Sequence, residues 1–111
     1  MIYIASPYSD PSAKVRQDRF DAVCKYAGSL MLRGKVVFSP IAHSHPIAEH
    51  LPQDKNTWEF WEPFDLMMLD MADDLYVLCI NGWNKSPGVA AEIKYAIDKM
   101  MPVVYAFPEA E

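Results

Sequence analysis

At 111 residues, with 51% apolar and 13% aromatic side chains, the chain has the size and composition of a single folded domain spanning residues 1–111, and disorder is excluded. A net charge of -5 without any run of Lys or Arg gives no basic field for tracking a nucleic-acid polymer, although local donors can still hold one small anion. No apolar run approaches the roughly 20 residues that cross a bilayer, so no membrane partner is expected.

Ile2-Tyr3-Ile4-Ala5 is short and rich in β-formers and predicts a first strand, followed by the polar loop Ser6-Pro7-Tyr8-Ser9-Asp10-Pro11. This N-terminus lacks the basic region and length of a signal peptide, which predicts a cytoplasmic address. A helix is expected from about Ser12, with Val23, Ala27, Leu30 and Met31 facing the core and Gly34 ending it. Lys35-Val36-Val37-Phe38 reads as a second strand, parallel to the first through a right-handed crossover. From Ile41 to Asn56 the chain reads as an irregular polar loop with three histidines. Trp58 to Ala72 predicts a helix despite Pro63, with Trp61, Phe64, Met68 and Met71 inward and Asp65 at the edge of the stripe. Leu75 to Ile80 is a continuous apolar run of the kind found in a buried strand. Pro87 to Met100 makes another helix, with Val89, Ile93, Ala96 and Ile97 on one stripe, and Pro102 to Phe107 a last strand. This alternation predicts an α/β domain: a Rossmann/flavodoxin-like open, mostly parallel sheet of four to five strands with helices on both faces. Ligands of such sheets sit beyond the carboxyl ends of the strands, which directs attention to the loops after residues 5, 38, 80 and 107.

Two isolated carboxylates stand out there. Glu92 lies one turn beyond Ser86-Pro87-Gly88, a helix start with an N-cap serine, proline at the first position and a glycine that admits close approach of a ligand. Free backbone N–H groups at that start suit a phosphate. Two acids in different surroundings can divide nucleophile and acid duties at a sugar carbon. On pattern alone each acid also has an ordinary alternative: Glu92 as a solvated acid, Asp65 as a boundary residue. Arg16 and Arg19, near the start of the first helix, can reach an anion over the first loop or form a solvated face with Asp18 and Asp21. His43, His45 and His50 match no fixed zinc spacing, so no metal is expected, and the histidines are read as ligand contacts. Trp58, Trp61 and Trp83 are candidates for the core, a dimer interface or the wall of a base pocket. Cys24 and Cys79 are read as small buried hydrophobes.

Pro7-Tyr8-Ser9, Ser44-His45-Pro46-Ile47 and the block Gly82-Trp83 through Glu92 resemble the nucleoside 2-deoxyribosyltransferase superfamily, including its branch of 2'-deoxynucleoside 5'-monophosphate N-glycosidases and small bacterial and phage proteins with the same motifs. The resemblance covers essentially the whole chain. It implies that Glu92 is the nucleophile at the anomeric carbon, that Asp65 helps protonate or orient the base, and that Tyr3 positions the nucleophile. Ser86 falls where the hydrolase branch has a phosphate-binding serine and where transferases usually carry an aspartate, which favours a nucleotide over a nucleoside. Ser6, Tyr8, Ser9, Arg19, His43, His45, Ser86 and Gly88 are the expected substrate contacts. The chain ends soon after its last strand, and the C-terminal residues that transferases lend to a neighbouring subunit have no counterpart. The resemblance therefore implies hydrolysis of the N-glycosidic bond, without cofactor, by a homodimer or higher homo-oligomer. Base exchange and a non-catalytic nucleotide-binding module are the alternatives.

Overall fold

A computed structural model describes residues 1–108. Its elements are β1 (Ile2–Ala5), α1 (Ala13–Leu32), β2 (Val37–Phe38), α2 (Pro40–Ala48), α3 (Trp58–Asp70), β3 (Asp74–Leu78), α4 (Pro87–Asp98) and β4 (Val103–Ala106), with single 3-10 turns at Gln53–Lys55 and Trp83–Lys85. The four strands are all parallel in the order β2-β1-β3-β4, a Rossmann/flavodoxin-like open sheet whose strand order reverses between β1 and β3. The loop expected after residue 107 runs into residues 109–111, outside the described residues.

Side chains of a strand alternate between faces, and β1 uses both. Ile2 and Ile4 join Val23, Tyr26, Ala27 and Leu30 of α1 on one side. Tyr3 and Ala5 join Leu69 of α3 and Val89 and Ala96 of α4 on the other. That parity sends the Tyr3 phenol under α3 and α4, where the two singled-out acids lie. No helix among the described residues is long and apolar enough to cross a membrane.

Four sequence expectations are corrected. The stretch from Ile41 to Asn56 is largely ordered into α2 and a 3-10 turn, because Ser39 caps α2 by accepting from the Ala42 N–H and Pro40 occupies its first turn. Pro46 inside α2 removes one ladder hydrogen bond and, with the histidines, hides the helix from a periodicity search. Met31 is 55% exposed, since the stripe of Val23, Ala27 and Leu30 is already complete and the next residue points about 100° away. The third correction bears on function. In α3 the buried pair is Asp65 and Leu69, whereas Phe64 and Met71 are 55% and 62% exposed and Trp61 and Met68 are half-buried. The helix is rotated by about one residue from the apolar stripe, so Asp65 points in. Ile97 of α4 also faces out, although the stripe placed it inward.

Candidate active site

Sheet topology concentrates the chemistry-bearing residues in one cavity of about 830 Å³ over the carboxyl ends of β1 and β3, within the roughly 300–1,000 Å³ usual for small-molecule sites. Its wall draws on the segments that follow β1, β2 and β3. Ser6, Tyr8 and Ser9 come from the loop after β1, Asp65 from α3, and Ser86, Gly88 and Glu92 from α4.

Glu92 is 4% exposed and Asp65 8% exposed, and both line the cavity. The Tyr3 hydroxyl donates to the Glu92 carboxylate. Neither acid has a cationic partner among the described residues. Burial pushes Asp65 up to about 7. Burial pushes Glu92 up to about 8, with Tyr3 pulling it back and the Asp65 charge adding to the rise. The Tyr3 phenol itself is raised well above 10.0 by burial and by the two carboxylates, so it stays a donor.

These two acids set a pH dependence of stability. Their folded pKa values lie above the unfolded ones, so the folded state binds more protons between about pH 4 and pH 8, and stability falls as pH rises through that window. Chemical denaturation should show wild type losing about 2–5 kcal/mol between about pH 5 and pH 9 relative to an Asp65→Asn/Glu92→Gln variant. Parallel pH profiles for the two proteins would contradict the buried-carboxylate geometry.

Around the acids, Ser86 caps α4 by accepting from the Val89 N–H, and Pro87 sits in the first turn. The Trp58 ring lies over Gly88, 3.5 Å from where a Cβ would stand. Ser6 Oγ is buried without a protein hydrogen-bond partner, and Ser6 lines the cavity wall. Arg19 spans the mouth. Its guanidinium donates to the carbonyls of Tyr8 (3.4 Å), Ser9 (3.0 Å) and Asn81 (3.4 Å), tying the loop after β1 to the loop after β3. Arg16 and Lys85 also line the wall, so three cations face the cavity of an acidic protein.

Not every expected contact converges here. His43 is exposed beside Phe38 and lies off the cavity wall, because α2 turns it outward. His45 lies behind the wall, bonded to Tyr8 and stacked on Phe20. Among the described residues no three His, Cys, Asp or Glu side chains gather as a metal site. Trp83 packs on Tyr105 and Phe107 beside β4, whereas Trp58 and Trp61 line the cavity. Ser44, Asn56, Thr57 and Lys85 line it too; Ser44 and Lys85 lie within the quoted motifs but were not named as contacts. Thr57 had a legible signal, since it is the N-cap of α3 next to Trp58; Asn56 carried none.

A family model described as Domain of unknown function (DUF1937) matches residues 1–107. A search of curated proteins finds no match.

Proposed function

We propose that this chain, which belongs to the DUF1937 family, hydrolyses the N-glycosidic bond of a (deoxy)nucleoside 5'-monophosphate, with Glu92 as nucleophile, releasing free base and sugar 5-phosphate. The observation that carries the proposal is the pair of buried carboxylates in one cavity, one of them held by a tyrosine hydroxyl. The resemblance of the Gly82–Glu92 block and of the other motifs to nucleoside 2-deoxyribosyltransferases and their hydrolase branch supports it. The unpartnered Ser6 hydroxyl, the capped start of α4 and the cations at the wall support a phosphate-bearing substrate.

In the first step the Glu92 carboxylate forms a bond to C1' as the bond from C1' to the base nitrogen breaks, and Asp65 gives its proton to the departing base. In the second, water attacks C1', Asp65 takes its proton, and the ester electrons return to Glu92. Both acids are restored and no external reactant beyond water is consumed. Tyr3 holds Glu92 in its attacking orientation and stabilises the carboxylate that is reformed. The exposed Phe64, Met67 and Met71 on α3 are consistent with a homo-oligomer that covers them.

The chemistry needs one proton on the pair, resting on Asp65. Deeper burial lifts Glu92 above Asp65 in the free site, but a bound sugar desolvates the more open Asp65 further while Tyr3 favours charge on Glu92. The pair titrates as a unit, so base release should follow a bell with limbs near 7 and 8 in the free enzyme. A kcat/KM profile that is flat across this range would refute the shared-proton mechanism.

The direct test incubates ribo- and deoxynucleoside 5'-monophosphates with the protein and resolves the products by chromatography. Free base with sugar 5-phosphate is expected. A new nucleotide on addition of a second free base would assign base exchange instead, and binding without any product would assign a non-catalytic module.

A further inference from the structure

Behind the cavity wall runs a chain of hydrogen bonds whose direction is fixed from its outer end. Gln17 Nε2 donates to the Asp21 carboxylate at 3.0 Å, and a carboxylate only accepts, so the Gln17 amide oxygen must face the other way. That oxygen lies 3.2 Å from His45 Nε2, which must therefore carry the ring proton. In its neutral form the imidazole then has a bare Nδ1, to which the Tyr8 hydroxyl 2.6 Å away donates. With its proton committed, the Tyr8 oxygen keeps its lone pairs for Arg16, which lines the same cavity wall and whose charge acts on the phenol. Arg16 also donates to the Asp10 carbonyl and lines the cavity. Among the described residues no carboxylate forms an ion pair with it. Phe20 stacks on the His45 ring at 4.1 Å between centroids and holds it in plane.

We propose that Asp21, Gln17, His45 and Tyr8 form a one-directional relay that fixes Arg16 at the cavity wall as the specificity-determining cation for a phosphorylated ligand. His45 and Gln17 are positioning residues: they touch no ligand, and they act by denying Tyr8 the option of donating toward the cavity. A Tyr8 proton turned inward would oppose the Arg16 donors. The relay relies on the proposed glycosidase reaction only for its choice of ligand.

Two measurements test it. Nitrogen NMR of the histidine rings should find neutral His45 protonated on Nε2, and a proton on Nδ1 overturns the direction of the chain. Calorimetry on a Glu92→Gln background, where no turnover intrudes, should compare 2'-deoxynucleoside 5'-monophosphates with their parent nucleosides. Arg16→Gln should weaken the monophosphates about 30-fold and leave the nucleosides nearly unchanged. Tyr8→Phe and His45→Phe should each lower the same preference about tenfold, with the double variant no worse than the larger single one. His45→Asn, which keeps an acceptor near the place of Nδ1, should recover part of the loss. Equal weakening of both ligand classes, or a starting protein with no preference for the monophosphates, overturns the relay. Base release is scored separately in the parent protein. Its absence with the preference intact sinks the glycosidase and leaves the relay standing, and the converse sinks the relay alone.

Discussion

Glu92→Gln is expected to lower base release from nucleoside 5'-monophosphates by about 1,000-fold or more while the protein stays folded. The amide keeps the shape of the side chain and its place opposite the Tyr3 hydroxyl, but it has no charge with which to attack C1'. The loss should fall on kcat, because the missing interaction belongs to the reacting centre and not to the phosphate or base. Removing a charge that sits 4% exposed without a cation should also raise the melting temperature near pH 8. Loss of activity together with a gain of stability separates a chemical role from a folding defect. Rapid acid quench followed by mass spectrometry should find a glycosyl adduct on the Glu92 peptide in the parent protein alone. Turnover within a few-fold of the parent value in the glutamine variant would remove Glu92 from the nucleophile's place.

Asp65→Asn carries the second largest effect, about 100-fold on kcat for bases that leave only when protonated. The asparagine conserves volume in a buried position yet supplies no acidic proton. The penalty should shrink for a substrate whose base already bears a positive charge, such as an N7-methylated purine, because that base departs without help. A uniform penalty across both kinds of leaving group would show Asp65 to be a structural residue of α3. Such a result would leave Glu92 untouched as nucleophile.

Much of the architecture was legible because strands β1 and β3 are continuous apolar runs and α1 and α4 have clear caps. Glu92 was legible for the same reason, sitting one turn past Ser86-Pro87-Gly88, where backbone geometry follows from residue type. Asp65 was harder. The apolar period of α3 runs through Phe64 and Met71, and it pointed those residues to the core; the helix instead turns Asp65 inward and leaves them exposed. Amphipathic periodicity finds the apolar side of a helix but does not say whether the sheet or another surface covers it. The burial of Ser44 and the ordering of α2 were masked by Pro46. The place of His45 depended on contacts with Tyr8, Gln17 and Phe20, far apart in the chain, which no local pattern encodes.

Gly82 has a left-handed backbone, with φ at +92°, and a Cβ there would stand 2.5 Å from the Arg19 guanidinium. Two independent penalties therefore coincide at one position, one from the dihedral angle and one from the neighbouring cation. The first is fixed by the backbone, and the second falls on the mobile end of a long side chain. A side chain at 82 would thus strain the turn and push the tip of Arg19 aside, loosening the clasp between the two loops at the cavity mouth.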